Sequence, residues 1–183
     1  MNEFPPTLTT DRLILRPYEL SDAADVFEYA SDAETVRYMS FDRHTSIYDA
    51  INFLSMMRAR YAGRLSYDYA IALKEQNKMI GGGGVFDASK LPHLCDIGYI
   101  INKKYHGMGY AAEAMGAVIS LMFEGLGVHK IQGRHFAENL RSGRVMQKLG
   151  MQYEGELKGA EFVRGEYRDV RYYGLINPKH KPE

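Results

Sequence analysis

Alternating apolar and polar residues mark the strands of this chain. In residues 12–18, Leu13 and Leu15 share one face, with the period of two that a strand requires. The segment YDYAIAL alternates in the same way, and MIGGGGVF and LCDIGYII follow it after short turns. Successive strands joined by short turns predict an antiparallel meander in the middle of the chain.

The strand LCDIGYII is apolar on both of its faces. Cys95, Ile97, Tyr99 and Ile101 fall on one side, and Leu94, Gly98 and Ile100 fall on the other. A strand that is buried on both sides belongs at the centre of a sheet.

Helical spacing separates these strands. Ser21 or Asp22 is placed to cap a first helix, and residues 47–61 carry Ile47, Ile51 and Leu54 at helical spacing. A third helix is predicted over residues 110–124, before GLG, and a short fourth one in NLRSGRVMQKLG. HKIQGRHF, MQYEGEL and EYRDVRYYGLI complete the pattern as strands.

This order of elements predicts the fold class. We expect an α/β (α+β) single domain over residues 1–183, with a mixed, mostly antiparallel central sheet flanked by about four helices. The length of 183 residues is enough for one domain to bury a substantial core.

Composition excludes several classes of protein. The 23 acidic and 23 basic residues balance, so we expect no broad nucleic-acid-binding face. No run approaches about 18 apolar residues, so we expect no membrane span, and MNEFPPTLTT does not resemble a signal peptide. Cys95 is the single cysteine, which is typical of a reducing cytosol and predicts a cytoplasmic protein.

The segment NKKYHGMGYAAEAM is the candidate anion-binding site of the chain. Gly107 and Gly109 precede the third predicted helix, whose first-turn amides and dipole would attract an anion such as a phosphate. Lys103 and Lys104 stand just upstream and would add to that field. A tight turn that needs glycine for positive φ, with solvated lysines, is an equally good interpretation.

A dinucleotide-binding pattern is a weaker interpretation of the same letters. Gly107, Gly109 and Ala112 satisfy its spacing, but Glu124 is short of the expected acidic position. The residues NKKYH also separate the glycines from the preceding strand.

The stretch DIGYIINKKYHGMGYAAEA resembles the acetyl-CoA-binding segment of the GCN5-related N-acetyltransferases (GNAT). The family signature, Arg or Gln, two residues, Gly, one residue, Gly or Ala, falls on His106, Gly107, Met108, Gly109, Tyr110 and Ala111. His106 departs from the usual first residue and is nearer to the branch of ribosomal-protein N-terminal (RimJ/RimL-type) acetyltransferases. TTDRLILRPYELSDAADVF and AENLRSGRVMQKLGMQYEGELKGAEF are similar to that branch too, so the resemblance spans residues 9–176.

The resemblance implies how acetyl-CoA, the acetyl donor, would be bound. The central strand would splay from its neighbour so that pantetheine contacts the backbone of Tyr99, Ile100 and Ile101. Asn139 would contact pantetheine and Ser142 the thioester sulfur, although an N-cap and an ordinary first-turn serine explain the same residues.

Three cations of the fourth helix and four glycines of a middle strand each allow two interpretations. Arg141, Arg144 and Lys148 recur at helical spacing and are candidates for the cofactor phosphates, with a solvated helix face as the alternative. The glycines at positions 81–84 indicate close backbone approach or a bulge beside the opening, or a flexible strand.

Glu161, in GAEF, matches a glutamate that this branch uses to relay the proton of the amine. An exposed loop carboxylate is the alternative interpretation of Glu161, and Asp96 on the central strand is the rival base. No tyrosine is assigned a catalytic role, and the histidines have no metal-ligand spacing, so we expect no metal.

The expected function is acetyl transfer to an amine. The resemblance favours a protein N-terminal α-amine, with a polyamine or aminoglycoside as alternatives and a non-catalytic acyl-CoA sensor as the competing class. Residues 38–44 are a candidate lining for the acceptor entrance. The oligomeric state is open between a monomer and a homodimer.

Overall fold

The computed structural model describes residues 4–179. Its strands are β1 (Leu8–Thr9), β2 (Leu13–Arg16), β3 (Tyr67–Leu73), β4 (Met79–Val85), β5 (Leu94–Ile101), β6 (Lys130–Phe136), β7 (Gln152–Val163) and β8 (Glu166–Ile176). Its α-helices are α1 (Ala23–Ala30), α2 (Ile47–Ala62), α3 (Tyr110–Ser120) and α4 (Leu140–Lys148). Short 3₁₀ turns cover Leu20–Asp22 and Lys103–Tyr105, and a π turn covers Leu121–Gly125.

All eight strands form one sheet, in the order β1-β2-β3-β4-β5-β6-β8-β7. Every neighbouring pair is antiparallel except β5 and β6, which are parallel and are connected through α3. A parallel pair needs such a long crossover, whereas the antiparallel strands are joined by short turns. The fold class expected from the sequence is therefore confirmed, including the central position of β5.

The sheet is covered on both faces by apolar residues. One core joins the sheet to α3 and α4 and includes Leu13, Leu15, Ile71, Ile97, Ile131, Met115, Val118 and Met146. The other joins it to α1 and α2 and includes Tyr18, Ala70, Met79, Val26, Leu54 and Met57. Because side chains alternate along β5, Ile97 and Ile101 face α3 while Ile100 faces α1 and α2.

A buried carboxyl lies beneath α2. Asp68 on β3 is almost fully buried, and its Oδ1 accepts the amide of Tyr69 at 3.1 Å. The hydroxyl of Tyr61 donates to the backbone oxygen of Asp68 at 2.7 Å. Burial raises the pKa of the Asp68 carboxyl to about 7, because water cannot solvate its charged form.

Several element boundaries differ from those expected. Strand β1 was not predicted, and α3 loses regular geometry at the π turn, four residues before its expected end. Strand β7 is longer than MQYEGEL because it continues along β8 past two register shifts. On α2 the buried positions are Ala50, Leu54, Met57 and Tyr61, and Ile47 is 37% exposed.

The first helix begins where the sequence indicates, but its cap is different. Asp22 is the N-cap of α1 and makes no side-chain cap bond. Its carboxylate instead binds the guanidinium of Arg16 at 2.7 and 2.8 Å and accepts the amide of Glu19 at 2.8 Å. The acid therefore ties the start of α1 to the end of β2. No described helix is long and apolar enough to cross a membrane.

Candidate active site

The two central strands separate part of the way along their length. Leu94–Ile97 of β5 pair with Lys130–Gly133 of β6. Beyond this point β5 continues to Ile101 against β4 alone, and β6 continues to Phe136 against β8 alone. The facing edges of the two strands are thus left without ladder partners, which is the splayed pair expected from the sequence.

A cleft of about 160 Å³ occupies this opening, and we call it the central cleft. Residues from both faces of the sheet line it. The lining comprises Tyr38, Met39, Ser40, Phe86, Ile97, Gly98, Tyr99, Arg134, His135, Phe136, Asn139, Ser142, Met146, Glu161 and Val170. The central cleft therefore connects the α3/α4 face of the sheet with the α1/α2 face.

The four glycines of β4 allow its neighbours to approach closely. A Cβ at Gly81 would lie 2.1 Å from the backbone oxygen of Ile100, and one at Gly83 would lie 2.6 Å from that of Gly98. A Cβ at Gly82 would meet the hydroxyl of Tyr18 at 1.8 Å. The register shift between β3 and β4 also falls at this end of the segment. Close approach beside a bulge explains these glycines, and β4 is buried along its whole length.

Residues 106–111 form the turn that leads into α3, and we call this turn the glycine cradle. Gly107 and Gly109 have φ of +81° and +84°, which favours glycine. Gly109 is the N-cap of α3, and no side chain caps the first-turn amides. These free donors and the helix dipole suit an anion, and nothing lies within 4 Å of a Cβ built at Gly107.

Cations other than the expected lysines stand near the glycine cradle. Lys103 binds Asp32 at 2.5 Å and Lys104 binds Glu28 at 2.8 Å, so both lysines are drawn toward α1. The hydrogen bonds from Lys104 and Lys78 lower the pKa of Glu28 to about 2. Arg12 instead lies 3.6 Å from a Cβ built at Gly109 and pairs with Glu113 on α3.

His106 links the glycine cradle to α4. Its Nδ1 lies 3.0 Å from a guanidinium nitrogen of Arg141, and its Nε2 lies 2.7 Å from the backbone oxygen of Ile101. A guanidinium can only donate, so Nδ1 accepts and the proton of the neutral ring is on Nε2. Arg141 is thereby held beside the position where the family signature usually has its own Arg or Gln.

A second cation of α4 has different neighbours from Arg141. Arg144 lines a separate hollow together with Arg171 and Tyr173. Binding of the cofactor phosphates by Arg144 stays a prediction. His135 separates this hollow from the central cleft, and burial lowers the pKa of its ring.

The start of α4 brings two hydroxyls together in the central cleft. Asn139 is the N-cap, and its Oδ1 accepts the amide of Ser142 at 3.3 Å. The hydroxyl of Ser142 donates to that of Tyr99 at 3.1 Å, and the hydroxyl of Tyr99 donates to the backbone oxygen of Ser142 at 3.0 Å. Burial raises the pKa of Tyr99 to about 12, so this phenol is protonated and able to donate.

One carboxylate faces the central cleft among the described residues that line it. Glu161 on β7 forms an ion pair with Arg134 on β6. The rival base Asp96 lies outside the cleft, where its carboxylate is 45% exposed and 3.8 Å from Lys90. The geometry therefore places Glu161, and not Asp96, among the polar groups of the cleft.

The loop that follows α1 forms one wall of the central cleft through Tyr38, Met39 and Ser40. We call residues 37–42 the entrance loop. Arg164, in the turn between β7 and β8, donates to the backbone oxygens of Arg37 at 3.1 Å and Phe41 at 2.7 Å. The turn that follows Glu161 therefore holds this wall in place.

Sequence reasoning missed three side chains of the site. It gave Tyr99 only a backbone role, did not single out Arg134, and grouped Arg141 with its helical neighbours. Alternation does put Tyr99 on the face of Ile97, but no local signal shows which helix residue lies opposite. The alternation along β6 places Arg134 on the face opposite the α3/α4 core. An exposed charge on a strand does not indicate a functional role unless its partner is known.

Comparisons with known proteins agree on one family. A family model described as "Acetyltransferase (GNAT) domain" matches residues 12–152. The "Uncharacterized N-acetyltransferase YoaA" of Bacillus subtilis (strain 168) is 30% identical over 95% of this chain and 98% of its own length. The "[Ribosomal protein uS5]-alanine N-acetyltransferase" of Escherichia coli (strain K12) is 27% identical, over 96% of this chain and 93% of its own.

The solved structures agree with this result. A GNAT-family acetyltransferase from Bacillus anthracis superposes with a TM-score of 0.85 at 28% identity, covering 94% of this chain and 99% of that one. The chain belongs to the GNAT family, and it is an N-acetyltransferase.

Proposed function

We propose that this N-acetyltransferase uses acetyl-CoA and acts on the α-amine of a protein N-terminus. The central cleft carries the proposal. Glu161 lines it together with Tyr99 of β5 and Ser142 of α4, and the glycine cradle lies farther along the chain from β5, at the start of α3. A donor bound along the opening would meet an acceptor that enters past the entrance loop.

The residues present fit the cofactor. Free amides at Gly107, Met108, Gly109, Tyr110 and Ala111 suit its diphosphate, because they are unpaired donors at a helix N-terminus. Met108 is exposed, as expected for a residue at the mouth of this turn. The cation missing from the signature at His106 is supplied by Arg141, which the imidazole holds in position.

The unpaired edge of β5 fits the pantetheine arm. Over Tyr99, Ile100 and Ile101 the edge of β5 that faces β6 has no ladder partner, so an extended amide chain can pair with it as a strand would. The backbone oxygen of Ile101 already accepts a hydrogen bond from Nε2 of His106. A backbone amide of this edge also suits the thioester carbonyl oxygen, where negative charge develops. Asn139 lines the same opening, and Arg144 lines a second hollow beside it.

Acetyl-CoA supplies an acetyl group activated as a thioester. During transfer a C–N bond forms, the C–S bond breaks, and the amine loses a proton. Glu161 takes that proton, directly or through a water molecule. The hydroxyl of Ser142, which donates to Tyr99 in this structure, would turn its hydrogen toward the departing sulfur, and solvent would supply the proton of the thiol.

An α-amine needs less help from the site to lose its proton than a lysine amine does. Its reference pKa is about 7.7–8.0, against about 10.4 for a lysine amine. A single carboxylate such as Glu161 is therefore sufficient near neutral pH. The relative named "[Ribosomal protein uS5]-alanine N-acetyltransferase" supports an acceptor amine on a protein.

A screen of N-terminal peptides and small amines with acetyl-CoA, following thiol release, tests this proposal. Glu161→Gln should lower kcat by about a hundredfold, and Ser142→Ala by about tenfold. Both variants should keep the affinity for CoA measured by calorimetry. Glu166→Gln, an exposed carboxylate of the same hairpin, is the matched control.

Two results would contradict the proposal. If CoA gives neither heat of binding nor a thermal shift, the glycine cradle does not hold the cofactor. If CoA binds but no amine releases thiol, the protein is an acyl-CoA sensor.

A further inference from the structure

The ion pair in the central cleft is open on its cationic side. The side chain of Arg134 is 53% exposed, and within residues 4–179 its only hydrogen bond is the one to Glu161. A guanidinium has five N–H donors. Arg134 therefore presents unused donors directly beside the carboxylate that takes the amine.

This arrangement matches a particular kind of amine. In an α-amino carbonyl compound the nitrogen and the carbonyl oxygen are about 3 Å apart, because only two carbon atoms separate them. Glu161 accepts from one guanidinium nitrogen of Arg134, so its other carboxylate oxygen and the free guanidinium donors lie side by side. An ammonium on Glu161 would place its own carbonyl oxygen on Arg134.

Resting on the proposed function, we propose that Arg134 selects acceptors with a carbonyl group next to the amine-bearing carbon. Peptide N-termini and free α-amino acids share this chemistry. Alkyl polyamines do not, and their second ammonium would need a second carboxylate. Among the described residues that line the central cleft, Glu161 is the one carboxylate.

The walls around the pair limit the side chain of the acceptor. Met39, Phe86 and Val170 are apolar, and the cleft of about 160 Å³ is small beside the roughly 300–1,000 Å³ usual for ligand pockets. The first residue of the acceptor therefore has a small uncharged side chain. A large first residue would clash with the wall of the entrance loop.

The test compares alaninamide with sec-butylamine, which has a similar size but no carbonyl group. Arg134→Ala should lower kcat/KM for alaninamide and for an Ala-initiated peptide by about ten- to a hundredfold. The value for sec-butylamine should fall about tenfold less than the value for alaninamide, because this amine loses only the effect of Arg134 on Glu161. Comparing each variant with the wild-type protein cancels the difference in amine pKa.

Further substrates and variants show which class of compound carries the carbonyl group and control for the loss of charge. Free alanine and the peptide separate an amino acid acceptor from a protein N-terminus. Arg134→Lys should restore part of the discrimination, because it keeps a donor without the planar fork. Lys130→Ala removes a cation from the same face of β6, outside the cleft, and should leave both amines unchanged.

Two outcomes overturn the inference. One is an equal loss for alaninamide and sec-butylamine in Arg134→Ala, which would mean that Arg134 only orients Glu161. The other is a wild-type preference for spermidine. The first result leaves the proposed function intact. A preference for spermidine would also refute the proposed α-amine acceptor, and the absence of turnover with every amine would refute acetyl transfer itself.

Discussion

Replacing Arg164 by alanine should weaken acceptor binding without affecting the cofactor. The guanidinium of Arg164 donates to the backbone oxygens of Arg37 and Phe41, with a longer 3.5 Å contact to that of Met39. These bonds hold the entrance loop, which forms a wall of the central cleft on the acceptor side. The glycine cradle lies on the other face of the sheet and makes no contact with Arg164.

The magnitude follows from the two well-formed hydrogen bonds. At about 0.5–1.5 kcal/mol each they contribute about 1–3 kcal/mol. Because the Arg164 side chain is 37% exposed, water can hydrogen-bond the freed backbone oxygens in the variant and recover part of this free energy. A net loss of about 1–2 kcal/mol corresponds to a factor of about 5–30 in the population of the ordered loop.

The assay is steady-state kinetics with both substrates varied. In Arg164→Ala the KM for the acceptor should rise by about 5–30-fold, while the KM for acetyl-CoA should stay within about twofold. Arg58→Ala removes an exposed arginine of α2 and serves as the matched control. If both KM values rise together, or if neither changes, Arg164 does not position the acceptor wall.

Three further predictions concern the glycine cradle, the thiol side of the cleft and the buried acid. Gly109→Ala should raise the Kd for CoA in calorimetry more than Gly165→Ala, which introduces the same strain at φ +85° in a hairpin turn; equal Kd values would contradict the cradle. Tyr99→Phe should lower kcat several-fold with unchanged CoA affinity, because Ser142 loses its partner in the cleft; an unchanged kcat would exclude the phenol from the reaction. Asp68 has a folded-state pKa raised to about 7 from about 3.9 when unfolded, so the folded protein binds this proton more tightly and stability falls as pH rises between these values. Between pH 5 and pH 8 this loss amounts to about 3 kcal/mol. Asp68→Asn should abolish it in urea unfolding at these two pH values, and the same difference between them in both proteins would refute the reasoning.

The strands and helices could be predicted because their patterns are local. The alternation of Leu13 and Leu15, the apolar faces of β5 and the glycines before α3 each report on a few adjacent residues. The two-residue β1 is too short to show a period. The extension of β7 is mostly exposed, so its side chains carry no hydrophobic signal.

The contacts of the candidate site could be predicted only in part. The glycine cradle could be predicted because Gly107 and Gly109 indicate a turn with positive φ before a helix. The pairs of Tyr99 with Ser142 and of Arg134 with Glu161 join residues that are far apart in sequence. Lys103 and Lys104 were expected to face the cradle, but the acids of α1 lie nearer in the fold.

The short joint between β5 and β6 also bears on how the molecule folds. Strands β6, β8 and β7 form one part of the sheet, and β1 to β5 form the other. Within the sheet the two parts are joined by four parallel residue pairs, and those pairs close a loop that contains all of α3. Pairing between strands that are far apart in sequence is slow compared with the pairing of neighbouring strands. We therefore expect the β5–β6 pairs to form after the hairpin of β7 and β8, at the same seam that would admit the substrates.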